Sequence, residues 1–378
     1  MRVVLFFTLL LANYVFSSSA FSACQFDNIQ FNRDFSAARL SDCEKLTDKH
    51  YLLSILPEKT DVNPSPWFSF KLHKPSQTAL TLTLDFGKYR ARYLPKISND
   101  NGYNWHTVKF DVEKNKMTFT INDEQSDIWV TAQPPVVEQD YLKFEKDLVK
   151  QHPYLKKDSL GKSVKGRDIT ALISTTPDSN NWLVMIGRQH PPETTGAIAL
   201  QAFTQTLLNQ NNVATKFNIL LVPLVNPDGV NEGNWRSNVN GIDLNRDWYR
   251  FSQPETKAIR DKLQQITTTG GKIVFALDFH STYEDVFYTM PDDKINLSPS
   301  GFTDKWLDDV QKRTRWTLKL QRKAGYKKNS GVFKQYIADT YGVHAVTYEV
   351  ADNNPPARID YIAREAAKSL AELLNKTF

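Results

Sequence analysis

Four apolar runs, separated by amphipathic segments, restrict the fold of this chain more than any other feature of its sequence. The runs cover residues 182–186, 217–225, 273–279 and 343–350, and each has the length of a buried strand. Apolar residues recur at mostly helical spacing over 195–208 and again over 361–374. Buried strands alternating with amphipathic helices predict an α/β domain.

The preceding segment, residues 67–132, has a different periodicity. Apolar side chains occupy every second position from Leu80 to Phe86, which places them on one face of a strand. Two strand-like runs flank the polar turn 113–116 and indicate a hairpin. These patterns predict a small all-β sandwich.

The break between the two regions is marked by Gln133-Pro134-Pro135. Proline has no amide donor and restricts the residue before it, so both periodicities stop there, and a helical pattern begins near Tyr141. We therefore predict a β-sandwich domain over 21–133 and an α/β domain over 134–378.

The N-terminal segment, residues 1–20, is typical of a secretory signal peptide. Arg2 precedes an apolar run over 3–16, and small residues lead to Ala20, where we expect cleavage. The run is shorter than the ~20 apolar residues that span a bilayer, and no later run approaches that length. We expect an exported protein, periplasmic or secreted, with no transmembrane segment after removal of the leader.

The only two cysteines, Cys24 and Cys43, follow the leader closely. In an oxidising compartment such a pair usually forms a disulfide, which is the pairing we predict. The alternative is that 21–24 is a bacterial lipobox with Cys24 lipidated, although the apolar run ends well before Cys24.

The charge balance gives little support to a nucleic-acid partner. The chain has 47 basic and 42 acidic residues, which gives a net charge of only +5. A dedicated nucleic-acid binder carries a concentrated basic surface, so we expect no nucleic acid as a partner.

Polar residues gather directly after the predicted strands of the α/β domain. They are His190 and Glu193, Asn226-Pro-Asp-Gly229, His280, and Glu349 at the end of the last run. Because a crevice forms outside the carboxyl ends of such strands, residues distant in sequence can meet there around one ligand.

A zinc site is the chemistry that this set of residues suggests. Two prolines separate His190 from Glu193, so these residues lie on a loop rather than on the helix of an HExxH site. His280 would supply the third ligand and leave one position open for water, as in catalytic zinc sites. The HxxE pattern alone is weak.

Two short polar segments, residues 234–236 and 241–248, contain Arg236, Arg246 and several amide and acid side chains. A salt-bridged surface loop is one interpretation. The other is a site for carboxylates and oxyanions, which guanidinium groups bind well.

Taken in order, these residues resemble the zinc carboxypeptidases of the carboxypeptidase A type, most closely the cytosolic-carboxypeptidase-like branch. The matching elements are His190-Pro-Pro-Glu193, Asn226-Pro-Asp-Gly229, Arg236, Asp243-Leu-Asn245-Arg246, His280-Ser281 and Thr347-Tyr348-Glu349. The segment 63–70 is similar to the start of the β-sandwich that precedes the peptidase domain in that branch. The resemblance implies a mixed eight-stranded sheet flanked by helices, one Zn²⁺ per chain, and exopeptidase action on peptide or protein C-termini.

The resemblance also implies a role for each matching residue. His190, Glu193 and His280 would bind zinc; Asp243 would orient a ligand imidazole; Arg236 would stabilise the oxyanion; Asn245 and Arg246 would hold the terminal carboxylate; Glu349 would be the general base. Two alternatives share these motifs: a murein-peptide hydrolase that cleaves cell-wall peptides, and a non-catalytic module that binds C-terminal tails.

A basic run over 311–328 bears on substrate preference because it holds eight cations and no acid. A solvated helix face is the simplest interpretation. The alternative follows from the resemblance, in which the stretch before the general base helps form the specificity pocket. Lys328 or Lys334 would then attract acidic side chains, and acidic C-termini would be preferred.

Overall fold

The computed structural model describes residues 24–176, 178–315 and 319–378, so the predicted leader lies outside the described residues. The first part of the chain is entirely β. Its strands are β1 (Gln25–Phe26), β2 (Ile29–Asn32), β3 (Asp42–Thr47), β4 (His50–Ser54), β5 (Ser69–His73), β6 (Leu80–Asp85), β7 (Lys96–Ser98), β8 (His106–Thr107), β9 (Phe110–Glu113), β10 (Lys116–Ile121) and β11 (Asp127–Thr131).

These strands form the β domain, which consists of two sheets that share one core. Within the described residues the sheets have the orders β1-β2-β5-β11-β7-β8 and β3-β4-β6-β10-β9. Leu80, Leu82 and Leu84 of β6 are fully buried in that core, as their alternation predicts. The turn 113–116 joins β9 to β10 as an antiparallel hairpin, also as predicted.

Cys24 and Cys43 are joined by a disulfide, with 5.7 Å between their Cα atoms. The bond ties the first described residue to β3.

The rest of the chain alternates between helices and strands. Its elements are α1 (Glu138–Gln151), β12 (Lys156–Lys162), β13 (Asp168–Ser174), β14 (Asn181–Gly187), α2 (Thr194–Leu208), α3 (Asn211–Lys216), β15 (Asn218–Val222), α4 (Pro227–Asn231), a 3-10 turn (Leu244–Arg246), α5 (Pro254–Thr268), β16 (Lys272–Thr282), β17 (Val286–Thr289), α6 (Phe302–Thr314), β18 (Gln321–Ala324), α7 (Phe333–Tyr341), β19 (Ala345–Ala351) and α8 (Pro356–Thr377).

Among the described residues, the strands of this α/β domain form one mixed sheet of eight, ordered β12-β13-β15-β14-β16-β19-β17-β18. The central pairs β15-β14, β14-β16 and β16-β19 are parallel. Helices α2, α6 and α8 pack on one face, and α5 and α7 pack on the other. The predicted architecture, a mixed eight-stranded sheet flanked by helices and preceded by a β domain, is confirmed.

In the described part of the chain, each helix is too short or too polar to cross a lipid bilayer.

Candidate metal centre

The polar residues singled out in the sequence meet at the carboxyl ends of three neighbouring parallel strands. β14 leads into a loop that carries His190 and Glu193, while His280 lies on β16 and Glu349 on β19. His280 and Glu349 are register partners in the parallel pair β16-β19, so their side chains lie side by side. The order of strands in the sheet therefore brings together residues that are 159 positions apart.

The loop between β14 and α2 holds its shape through buried contacts. Arg188 adopts a left-handed conformation, with φ of 58°, and its Nε donates to the carbonyl of Pro191 at 2.9 Å. Its Nη1 donates to the hydroxyl of Tyr141 at 2.9 Å. At the start of α2, a Cβ on Gly196 would lie 2.5 Å from the carbonyl oxygen of His280, so only glycine permits this close approach. These contacts fix the loop against β16.

Three potential metal ligands converge in this space: His190, Glu193 and His280. All three are buried, and one ligand atom from each can be chosen so that all lie within 4.8 Å of one another. Glu193 Oε1 lies 2.9 Å from His190 Nδ1, and Oε2 lies 2.7 Å from His280 Nδ1. Two imidazoles and one carboxylate form a donor set suited to catalytic zinc.

The far nitrogen of each imidazole faces a carboxylate. His190 Nε2 donates to Asp243 Oδ1 at 2.9 Å, and His280 Nε2 donates to Asp278 Oδ2 at 2.7 Å. Because a carboxylate only accepts, each Nε2 carries a proton, which leaves each Nδ1 as the nitrogen that would coordinate a metal. This is the tautomer that metal binding requires, and such carboxylates also raise the basicity of the ligand.

The electrostatics of the ligand set favour a bound cation. Burial alone would raise the pKa of Glu193, but the two neighbouring imidazoles hold it well below its ordinary value. Burial would likewise lower the pKa of His280, but Asp278 and Glu193 raise it well above its ordinary value. The buried carboxylates thus favour positive charge at this place, and one Zn²⁺ fits both that charge and the donor chemistry.

Glu349 lies beside this ligand set and has an unusual environment. Its Oε2 is buried and has no hydrogen-bond partner among the described residues. Burial, together with the charge of Glu193, raises the pKa of Glu349 to about 7 despite the nearby imidazoles. An unpaired buried carboxylate of this kind is typical of a functional site.

Arg236, Asn245 and Arg246 border the same space. Arg236 Nε donates to Asp243 Oδ2 at 2.7 Å, and the amide of Asn245 donates to Asp243 Oδ1 at 2.9 Å. The side-chain oxygen of Asn245 accepts from the amide of Phe333. Arg246 is exposed, and its Nη1 donates to the carbonyl of Asn245. The carboxylate of Asp243 therefore accepts hydrogen bonds from Arg236, Asn245 and His190.

A cavity of about 450 Å³ opens above the ligand set. All the predicted site residues except Asp243 line it, namely His190, Glu193, Arg236, Asn245, Arg246, His280 and Glu349. Other lining residues include Tyr288, Val332, Lys334 and Thr347. Lys334 is only 9% exposed, and its Nζ donates to the carbonyl oxygens of Gly325 (2.9 Å) and Thr289 (3.2 Å). Burial lowers its pKa to about 8.

Several cations of the basic run 311–328 form surface ion pairs. Arg313 contacts Asp309 and Glu372, and Lys323 contacts Glu284. Lys328 is exposed. Of the two lysines considered for substrate binding, Lys334 is the one that lines the cavity beside Glu349.

Two residues that contribute to the site were missed in the sequence. Asp278 had a readable signal, because it precedes His280 by two positions on a strand and therefore shares its face. Arg92 had none. It belongs to the β domain, yet its guanidinium binds both carboxylate oxygens of Asp352 at 2.8 and 3.1 Å and lines the cavity.

Comparison with known proteins agrees with this geometry. Residues 141–369 match the zinc carboxypeptidase family model. Cytosolic carboxypeptidase 6 of Mus musculus is 27% identical over 252 residues, which are 58% of this chain and 46% of that protein. The chain thus spans about half the length of this curated relative.

Two solved structures share the fold over 92% of this chain at 20% sequence identity. A metallo-carboxypeptidase from Burkholderia cenocepacia has a TM-score of 0.78, with 99% of that chain covered. A metallo-carboxypeptidase from Pseudomonas aeruginosa, solved in complex with (2-guanidinoethylmercapto)succinic acid, has a TM-score of 0.74, with 100% covered.

The family model covers more than half of this chain, and its matched region contains the complete set of ligands, His190, Glu193 and His280. The chain therefore belongs to the zinc carboxypeptidase family.

Proposed function

We propose that this protein is a zinc-dependent metallocarboxypeptidase that removes the C-terminal residue of peptides. The observation that carries the proposal is the placement of the unpaired Glu349 carboxylate beside the His190, Glu193 and His280 ligand set, in one cavity. Three protein ligands leave one position open for water, and a buried carboxylate oxygen next to them that has no hydrogen-bond partner in the described structure fits hydrolysis.

His190, Glu193 and His280 would hold the metal, with Asp243 and Asp278 fixing the imidazoles. Zinc bound there supplies Lewis-acid polarisation of a carbonyl and a lowered pKa for a coordinated water. His280 lies on the strand β16, and His190 and Glu193 lie on a loop that the bond from Arg188 to Pro191 holds in place.

Glu349 would act as the general base and then as the general acid. Its Oε2 has no competing hydrogen bond in the described structure, so it is available to a water in the cavity. A pKa near 7 suits a group that takes a proton from the attacking water and returns it to the departing amine.

The polar rim would supply the remaining functions. Arg236 would donate to the oxyanion that develops from the scissile carbonyl, because its guanidinium is held at the cavity by Asp243. Arg246 and Asn245 would bind the terminal carboxylate of the substrate. Binding of that carboxylate would restrict cleavage to the end of the chain.

We further propose a preference for acidic C-terminal side chains. Lys334 supports it, since its ammonium group is buried at the cavity and is bonded only to neutral groups in the described structure. An incoming Glu or Asp side chain would give it a charged partner. Among the tyrosines upstream of Glu349, Tyr288 lines the main cavity and Tyr326 lines a smaller cavity with Arg246 and Lys334, so both are candidates for contact with the substrate. Tyr336 is instead buried among Trp248 and Phe251.

We also propose that the protein is exported, to the periplasm or the outside of the cell. The leader pattern over 1–20 and the disulfide between Cys24 and Cys43 support this location.

The experiment that tests the activity is a panel of peptides that differ only at the last residue. Zinc-loaded protein should release the last amino acid, and peptides ending in Glu or Asp should be cleaved faster than those ending in Lys, Arg or Leu. Release of internal fragments, or no release from any peptide, would contradict the proposal. Faster release from D-residue or diaminopimelate ends would favour the murein-peptide alternative.

A further inference from the structure

One carboxylate of the β domain, that of Glu58, binds three successive backbone amides of the α/β domain. Its Oε2 accepts from the amide of Trp235 at 2.8 Å, and its Oε1 accepts from Arg236 at 3.1 Å and Ser237 at 2.7 Å. The amides on either side, those of Asn234 and Asn238, instead donate to carbonyl oxygens of the α/β domain itself, those of Gly229 and Ile242. Glu58 thus satisfies a run of amides that all point out of the α/β domain.

The β domain holds the same loop at further points. The indole of Trp235 is fully buried in the core of the β domain, and its Nε1 donates to the carbonyl of Trp67 at 2.9 Å. Lys59 Nζ donates to the carbonyl of Gly241 at 2.5 Å. Gly233 has φ of 61°, and a Cβ there would lie 2.5 Å from the carbonyl oxygen of Ala38. The loop 233–241 therefore takes its shape from the β domain.

This loop carries the arginine that borders the metal site. The amide of Arg236 is bonded to Glu58, and the side chain of the same residue reaches Asp243, which in turn contacts His190. A continuous series of hydrogen bonds thus runs from the β domain to a metal ligand.

Charge-assisted bonds of this kind are roughly twice as strong as neutral ones, and three of them on adjacent amides restrict the backbone at one place. Arginine has a long and flexible side chain, so the position of its guanidinium depends on where its backbone is held. Oxyanion donors must be held within about 0.5 Å of their productive position.

We propose that Glu58 is a positioning residue of the active site, which fixes the backbone of Arg236 so that its guanidinium meets the developing oxyanion. This inference rests on the proposed carboxypeptidase function. It assigns the β domain a part in transition-state stabilisation, beyond its part in folding.

A purely structural contact between domains would have different consequences, and a double-mutant cycle separates the two. Loss of one oxyanion donor costs about 10²- to 10³-fold in kcat. Because Glu58→Ala loosens Arg236 without removing it, we expect kcat to fall about 10- to 50-fold, with KM changed less than about threefold. In the Arg236→Ala background, the added cost of Glu58→Ala should shrink to less than about threefold.

The matched control is Ser36→Ala. It removes another contact between the domains, the bond from Ser36 to Asn231, and leaves Arg236 untouched. This variant should keep kcat within about twofold of the wild type. Glu58→Gln is the milder variant, because it keeps one accepting oxygen and loses the charge, and it should fall between wild type and Glu58→Ala.

Hydrogen exchange of the amides of 235–237 gives a readout that needs no activity. Glu58→Ala and Glu58→Gln should speed this exchange at least about tenfold, and Ser36→Ala should leave it unchanged. If Glu58→Ala does not fold, Glu58→Gln carries both measurements.

Three results would overturn the proposal. The amides of 235–237 could exchange as slowly in Glu58→Ala as in the wild type, or kcat of Glu58→Ala could stay within twofold of the wild type. The third result is an equal loss of kcat on adding Glu58→Ala to the wild type and to Arg236→Ala. A wild-type protein that releases no amino acid, but whose 235–237 amides still respond to Glu58, would instead refute the proposed function.

Discussion

Replacing Lys334 by methionine should remove the preference for acidic C-termini. Methionine is close to lysine in length and carries no charge, so the cavity keeps its shape. The ammonium group of Lys334 is buried and donates to two carbonyl oxygens, those of Gly325 and Thr289. In the variant, a substrate carboxylate would enter the cavity without a charged partner.

The size of the effect follows from this environment. A hydrogen bond to a charged group contributes about 1.5–3 kcal/mol, which corresponds to about a 10- to 150-fold change. The kcat/KM for a peptide ending in Glu should fall by this factor, while that for an otherwise identical peptide ending in Leu or Met should stay equal or rise.

The pH dependence gives an independent check. Burial lowers the pKa of Lys334 to about 8, so the ammonium is charged below that pH and loses its proton above it. The ratio of kcat/KM for Glu-ending over Leu-ending peptides should therefore be highest below pH 8 and should fall as the pH rises through it. In the Lys334→Met variant, this ratio should be small and should not change with pH.

The assay is release of the last amino acid from paired peptides, with Lys328→Met as the matched control because Lys328 is exposed. An unchanged ratio in Lys334→Met, or an equal loss in Lys328→Met, would refute the reasoning.

Three further predictions concern the metal site and the N-terminus. The Glu349→Gln variant should still bind zinc and should unfold at the same temperature as the wild type, but its turnover should be at least about a hundredfold lower. Near-normal turnover would show that Glu349 is not the general base. Asp278→Asn should weaken zinc binding about 10- to 100-fold in competition with a chelator, because it removes the carboxylate that orients His280; unchanged affinity would remove Asp278 from the site. Intact-mass analysis of exported protein should find Cys24 and Cys43 oxidised, and a lipid on Cys24 or two free thiols would contradict the disulfide-bonded form.

The sequence predicts the central part of the fold well because burial leaves a clear pattern. The run that became β14 is continuous and apolar, and the run that became β16 is interrupted only by Asp278, as expected for strands covered on both faces. The edge strands were not predicted. β12 (KKDSLGK) and β18 (QRKA) are polar, since an edge of the sheet faces water. Neither strand shows the alternation of apolar and polar residues that would predict a strand.

The ligands could be predicted because their order along the chain matches a known family, whereas contacts between the domains could not. Glu58 and Arg92 lie in the β domain, and no periodicity or spacing relates them to Arg236 or Asp352. The contacts of Glu58 and Arg92 with the α/β domain can be identified only from the packing of the two domains. Asp278 is an intermediate case, because its spacing from His280 could have revealed it.

The most direct measurement is the rate of C-terminal amino acid release as zinc is added back to protein stripped of metal. The rate should rise in proportion to bound zinc and level off at about one zinc per chain, with the His190→Ala variant remaining inactive at the same zinc concentrations. Full release without zinc, or no release with one zinc bound, would contradict a zinc carboxypeptidase centred on His190, Glu193 and His280.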